Sequence, residues 1–218
     1  MARSVYLVAL LLPACGGASL KDFTSSELSL DLTTAGRISV SLGAGGSPGA
    51  CRRLDGPLRA TVNGRELQIG SRGGEVVTTA GWSCAAPEFS GTTLAGDEPD
   101  ALVEISDGES LIALLARNAF AERTLTANSD WSFLWVPTTD EDKVATWRHT
   151  DETGTRFGQV DFEGGVLLLD LEGEDLTRGT LRVDGLASAP IDRCDGIALC
   201  RAIVRVSSEE FRLSGGVD

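Results

Sequence analysis

The chain has 218 residues, of which 42% are hydrophobic and 23% charged, a composition typical of a globular protein. It carries 32 acidic and 19 basic residues, for a net charge of −13 at pH 7. Such an acidic chain repels nucleic-acid phosphates and anionic lipid headgroups, so we predict neither nucleic-acid binding nor peripheral membrane binding.

The chain opens with a short apolar stretch after a single positive charge. Arg3 precedes an apolar run from Val5 to Leu12. This run is too short to be a mature membrane anchor, because a spanning helix needs about 20 apolar residues. A positive start, a short apolar core and small residues at its end are typical of a secretory signal. The sequence therefore predicts an exported protein.

The apolar run ends in Leu12-Pro13-Ala14-Cys15, which resembles the lipobox of bacterial lipoproteins. The resemblance implies that the Cys15 thiol is diacylated, that residues 1–14 are removed as a signal peptide, and that the new amine is acylated. Residues 15–21 then form a lipidated tether that holds the protein on the lipid bilayer. Because Gly16 rather than Asp follows, the family's sorting rule implies the outer membrane, facing the periplasm or the cell surface. The alternative is a plain signal peptide cut elsewhere, with Cys15 an ordinary thiol.

The other cysteines indicate two disulfides. Four of the five remain once Cys15 is assigned to lipid, and an even number in an exported chain favours pairing. Of three possible pairings we favour the one that keeps each bond within one half of the chain, so that the segment 194–200 is a hairpin loop clipped at its base. That pairing joins Cys51 to Cys84 and Cys194 to Cys200. Zinc is not predicted, since the chain has no C-x-x-C motif and a single histidine.

Apolar and polar residues alternate along most of the chain, which predicts β-strands. The first two runs have Leu28, Leu30, Leu32 and then Ile38, Val40, Leu42 at every second position. Asn63-Gly64 between two such runs is typical of a hairpin turn. The continuous run Leu167-Leu168-Leu169 predicts a central strand buried on both faces. Further strands are predicted at residues 158–162, 166–171, 180–183, 202–206 and 211–213.

Residues 109–120 can be interpreted in two ways. They include good helix formers, and Ser110 could cap a helix. However, residues 102–105 precede them across Ser106-Asp107-Gly108, and Asp-Gly is a favoured hairpin turn. We favour the hairpin because the surrounding chain is β, while a short helix stays open.

The fold class predicted from these patterns is all-β, with two tandem immunoglobulin-like β-sandwich domains after a cleaved signal peptide. The expected domains are residues 22–127 and residues 128–218. The second half is similar in pattern to immunoglobulin-like modules of exported bacterial proteins. Without a convincing internal repeat, one larger β domain is the alternative.

No catalytic residue is predicted. Residues 45–49 match the G-x-S-x-G motif of hydrolases around Ser47, but Pro48 follows directly and no helix pattern comes after it. His149 is the only histidine, so any Ser-His or Cys-His chemistry would have to use it. We expect a flexible turn at Ser47 and a structural histidine at position 149.

Acidic clusters provide weak candidates for calcium, which takes six to eight oxygen ligands. None fits an EF-hand spacing, so a solvated acidic surface is the expected role and no cofactor is predicted. A carboxylate pair could also serve a glycosidase, if two carboxylates stood at the right separation. The calcium candidates are Asp140, Asp142, Asp170, Glu172 and Glu174.

Four tryptophans could fill cores or stack on ligands. Trp131, Phe133 and Trp135 share one face of a predicted strand, which favours a core, and Trp82 is expected to pack on a disulfide. We therefore expect a non-enzymatic, membrane-anchored surface or periplasmic module that binds a protein or glycan or mediates adhesion. The alternatives are a structural or assembly component of the cell envelope and a carboxylate-dependent hydrolase.

Overall fold

The computed structural model describes residues 17–33, 36–43, 51–79, 81–92, 99–127, 132–137, 141–163, 166–169 and 178–213. This part of the chain is almost entirely β-strand, which confirms the all-β class, and its one helical piece is a 3-10 turn at Leu20–Phe23. The strands are β1 (Gly17–Ala18), β2 (Glu27–Thr33), β3 (Arg37–Gly43), β4 (Arg53–Leu54), β5 (Arg59–Val62), β6 (Arg65–Glu66), β7 (Gln68–Thr78), β8 (Gly81–Thr92), β9 (Ala101–Ser106), β10 (Leu111–Ala116), β11 (Thr124–Ala127), β12 (Ser132–Val136), β13 (Glu141–Asp151), β14 (Gly154–Glu163), β15 (Val166–Leu169), β16 (Gly179–Ser188), β17 (Ile191–Asp195), β18 (Leu199–Ser207) and β19 (Phe211–Leu213).

The strands form one long sheet and one short sheet. The long sheet has the order β1-β4-β7-β8-β3-β2-β18-β16-β13-β14-β15-β12-β11, with β19 also paired to β16. The short sheet has the order β17-β10-β9-β5-β6. Most neighbours are antiparallel, but β18 pairs with β2 in parallel, with Leu199 opposite Glu27 and Arg205 opposite Thr33.

Two hydrophobic cores lie against these sheets. The first contains alternating leucines and valines of β2 and β3, as the period-two pattern predicted, and it also contains Ala202 and Val204 from β18. The second contains Trp135, Trp147 and other residues of β11 to β16, together with Val206 from β18. A single strand therefore contributes to both cores.

The two predicted tandem sandwiches are not confirmed. Strand pairing joins segments from both predicted units, since β18 lies beside β2 and β17 lies beside β10. The first core also takes in Ala189 and Ile197 from the C-terminal quarter of the chain. The domain boundary between residues 127 and 128 stays a prediction.

The hairpin interpretation of residues 109–120 is confirmed. β9 and β10 pair from Ala101 opposite Ala116 to Ser106 opposite Leu111. Gly108 has a φ of 93°, which a glycine adopts without strain. The Asp107 carboxylate accepts hydrogen bonds from the Leu20, Ser110 and Glu109 amides, and these bonds lower the pKa of Asp107.

The Asn63-Gly64 turn is also confirmed, but the strand after it is short. β6 has only two residues, and the chain then leaves the short sheet to enter the long sheet as β7. The Asn63 side chain holds this corner by donating to the Asp100 carbonyl and accepting from the Leu102 amide, at 2.8 and 2.7 Å. Local turn chemistry was readable in the sequence, whereas the change of sheet was not.

Two glycines make room for the tryptophans of the second core. A Cβ at Gly185 would overlap the ring of Trp135, and a Cβ at Gly158 would overlap the ring of Trp147. Trp147 and Gly158 are direct cross-strand partners on β13 and β14. Since Trp135 of β12 contacts Gly185 of β16, the sheet curls so that distant strands share one core.

We predict that Gly185→Ala destabilises the protein by about 1–3 kcal/mol, because the added methyl would displace the fully buried Trp135 ring. The free energy of unfolding in guanidinium chloride measures this. Gly70→Ala is the matched control, since a Cβ there would make ordinary contacts with Glu88. Equal unfolding free energies for the two variants would contradict this account of the core.

Candidate functional site

Several of the predicted site residues lie outside the described part of the chain. These are Cys15, Ser47, Trp131 and the calcium candidates Asp140, Asp170, Glu172 and Glu174. Asp142 is described, and it is exposed at the start of β13 with a φ of 47°. Within the described ranges, no three His, Cys, Asp or Glu side chains stand close enough together to hold a metal ion.

The structure contains two disulfides, and their pairing is the one that the sequence favoured. Cys51 is joined to Cys84 with a Cα–Cα distance of 5.2 Å. This bond fastens the segment before β4 to β8, at the point where Cys84 lies opposite Glu75 of β7.

The second disulfide joins Cys194 to Cys200, with a Cα–Cα distance of 5.8 Å. The expectation of a clipped hairpin was wrong here. β17 pairs with β10 in the short sheet, whereas β18 pairs with β2 and β16 in the long sheet. The bond therefore links the two sheets at the corner where the chain crosses between them. The six-residue spacing was visible in the sequence, but it does not say which strands the flanking segments pair with.

His149 of β13 belongs to a small polar cluster, and its side chain is fully buried. The ring Nε2–H donates to the Arg178 carbonyl at 2.8 Å. Arg156 Nη2 lies 3.1 Å from the ring Nδ1, and since a guanidinium can only donate, Nδ1 is the acceptor. Both ring nitrogens are thus engaged in the neutral imidazole, and neither is available as a general base.

Asp151 completes the cluster. Its carboxylate accepts from the Thr153 hydroxyl and amide at 2.5 and 2.7 Å, and from Arg156 Nη2 at 3.0 Å. The two Thr153 bonds, followed by the Arg156 guanidinium, lower the pKa of Asp151 from 3.8 to about 2. Arg156 therefore bridges a carboxylate that is ionised at neutral pH and the buried ring. This arrangement joins the two strands at the β13–β14 turn.

The strand of aromatic residues behaves as predicted for its two described members. Phe133 and Trp135 are buried, and Phe133 makes an edge contact with Phe211 at 5.5 Å between ring centroids. Trp147 is buried as well. These rings fill the second core and are not presented to a ligand.

The outer face of β12 and β15 carries an exposed apolar patch. Leu134, Val136 and Leu168 are 37%, 42% and 39% exposed. Leu134 lies directly opposite the half-buried Val166 in the strand register, and Val136 and Leu168 stand on the same face next to this pair. We call these four residues the outer patch. Contiguous exposed apolar residues of this kind are typical of interaction sites.

The sequence analysis missed the outer patch. The prediction that Leu167-Leu168-Leu169 is buried on both faces was wrong, although β15 does lie between β14 and β12. Leu167 is fully buried, whereas Leu168 faces outward. The unbroken apolar runs of β12 and β15 were the sequence signal for this patch. Such a run is compatible with a strand buried on both faces and also with a strand whose outer face is apolar and exposed.

The chain matches no protein-family model, and no curated protein matches it either. In the described segments no helix is long and apolar enough to span a membrane. Its function must therefore be inferred from its own sequence and structure.

The low pKa of Asp151 leads to a pH prediction. A carboxylate whose pKa is lower in the folded protein stabilises the fold above its ordinary pKa of 3.8, and this contribution is lost as pH falls towards about 2. We therefore expect Asp151→Asn to lower the melting temperature at neutral pH, with the difference from wild type shrinking below about pH 4. Thermal unfolding across this range tests it, with Glu152→Gln, an exposed neighbour, as the control. A difference that does not change with pH would contradict the role of the charge.

Proposed function

We propose that this protein is a membrane-anchored bacterial lipoprotein that acts as a non-enzymatic binding module at the outer membrane, facing the periplasm or the cell surface. The observation that carries the proposal is the use of the cysteines. Four of the five are joined in two disulfides, which are typical of exported proteins. The one left over is Cys15, which stands in the lipobox-like motif.

The proposal of a non-enzymatic role is supported by the state of His149. A Ser-His or Cys-His mechanism needs an accessible imidazole, and this one is buried with both nitrogens bonded. The two described core tryptophans are buried as well and do not form a stacking platform.

The binding role is supported by the outer patch. Its side chains are aliphatic, so it is suited to contact with an apolar protein surface. A glycan-binding surface would instead present aromatic rings, on which sugars stack. An exposed apolar patch also favours a binding role over a structural role in the envelope. Exposed aliphatic surface promotes aggregation unless a partner covers it.

The anchor is tested by the intact mass of the full chain extracted from the membranes of a Gram-negative host. We expect residues 1–14 to be missing, three acyl chains on Cys15, and four hydrogens fewer than the reduced protein. A Cys15→Ala variant should lose the acyl mass and leave the membrane fraction. An unacylated wild-type protein, or cleavage at another bond, would overturn the lipoprotein proposal.

The binding surface is tested by cross-linking in the intact envelope. We expect Leu134→Asp to remove cross-linked products that wild type forms, because a carboxylate would be buried against the partner's apolar surface. Thr150→Asp is the control, since Thr150 is exposed on the outer face of β13. If both variants keep the same products, the outer patch is not the binding surface.

A further inference from the structure

The β7–β8 hairpin extends beyond its disulfide. The two strands stay paired up to Thr78 opposite Gly81. The Cys51–Cys84 bond fastens the hairpin where Cys84 lies opposite Glu75, and residues 76–79 and 81–83 continue past that point. We call these seven described residues the hairpin tip.

The hairpin tip carries no charged side chain, in a chain with a net charge of −13, and it contains two neighbouring valines. Val77 is 69% exposed, the highest value for a large hydrophobic side chain in the described residues, and Val76 is 43% exposed. Exposed valines on a charge-free loop are costly in water, so the tip has the chemistry of a surface that becomes covered.

The N-terminal end of β1 lies at the same end of the sheet as the hairpin tip. β1 is parallel to β4, with Gly17 opposite Arg53, and β4 is antiparallel to β7, with Arg53 opposite Gly73. β1 is therefore antiparallel to β7. Since β7 runs towards the tip, the N-terminal end of β1 faces the tip.

Chain lengths place the tip beyond Cys15. Cys15 is two residues before Gly17, so its Cα lies within about 7 Å of Gly17. Val77 is four residues past Gly73, which is level with Gly17 in the register, and four strand residues span about 13 Å. If acyl chains on Cys15 lie in a membrane, the tip is therefore the part of the sheet nearest to that membrane.

Arginines stand at the base of the hairpin, although the whole chain is strongly acidic. Arg52 and Arg53 are exposed, and Arg72 donates to the carbonyls of Leu54 and Gly56 at 3.2 and 3.0 Å. Exposed arginines favour contact with anionic headgroups, so the negative charge of the whole chain does not by itself exclude contact at this end.

We propose that the hairpin tip inserts into the headgroup boundary of the bilayer that holds the acylated Cys15, so that the β7–β8 hairpin is a second membrane contact. This inference rests on the proposed lipidation. An acyl anchor alone leaves the protein free to tilt about its tether. A second contact beside the anchor sets the orientation of the sheet on the membrane, with the outer patch near the opposite end of the strand order.

The test uses the full chain, purified from membranes and reconstituted in vesicles of phosphatidylethanolamine and phosphatidylglycerol that contain phospholipids brominated in their acyl chains. In a Trp82→Phe background, tryptophan is introduced by Val77→Trp or, as the matched control, by Val144→Trp. Val144 is a valine of β13 that is also well exposed, at 58% against 69% for Val77. We expect bromine to quench the emission added by Val77→Trp and not the emission added by Val144→Trp.

The intact mass of the same sample separates the two proposals. A triacylated protein that shows no quenching specific to Val77→Trp overturns the hairpin contact and leaves the lipoprotein proposal standing. An unacylated protein overturns both, since the anchor that brings the tip to the bilayer is then absent. Equal quenching at both positions also overturns the inference, because it would show general adsorption rather than contact by the tip.

Discussion

The parallel pairing of β18 with β2 is the constraint on which the rest of the structure depends. Within the long sheet, β18 lies between β2 of the N-terminal half and β16 of the C-terminal half, and it joins the strands of the two halves into one sheet. It also supplies side chains to both hydrophobic cores, with Val204 in the first and Val206 in the second. Arg205 fastens the junction from the surface with a bidentate ion pair to Asp31 at 2.6–2.9 Å, and this bond raises the pKa of Arg205. Without this strand, each half would have an open sheet edge and an incomplete core.

The long sheet is thereby a scaffold with different surfaces at its two ends. One end has the N-terminal strand, the Cys51–Cys84 bond and the uncharged hairpin tip. The other end curls around the second core, where Trp135 packs on Gly185 and the outer patch faces away from the rings. The polar cluster around His149 lies between strands and stabilises their turn.

Much of the local structure could be predicted from the sequence. The period-two pattern of Leu28, Leu30 and Leu32 predicted a strand with one buried face, because alternate side chains point to opposite sides. Asn-Gly and Asp-Gly predicted turns because they accept left-handed backbone angles. The disulfide pairing followed from chain proximity. In each case the signal and the structure lie within a few tens of residues of each other.

The long-range features could not be predicted in this way. Alternation shows that β2 and β18 are strands, but it does not say that they are neighbours, because any two amphipathic strands of suitable length satisfy the same pattern. The outward side of Leu168 likewise depends on which strands flank β15 and on what covers them. For the candidate site, Cys15 was the residue that sequence singled out, whereas the hairpin tip emerged only from the register that places Gly17 level with Gly73.

Asp31 and Arg205 are 174 residues apart along the chain. This separation constrains the order in which the strands can pair during folding. β2 is among the first strands to be synthesised and β18 among the last, so the edge of β2 stays uncovered while most of the chain is made. Pairings with such high sequence separation are slow to form and leave strand edges open to other chains meanwhile. A chain stopped before residue 199 would lack the wall shared by both cores. Synthesis of nearly the whole chain must therefore precede the completion of the two cores, and the edge of β2 stays open to pairing with other chains until then.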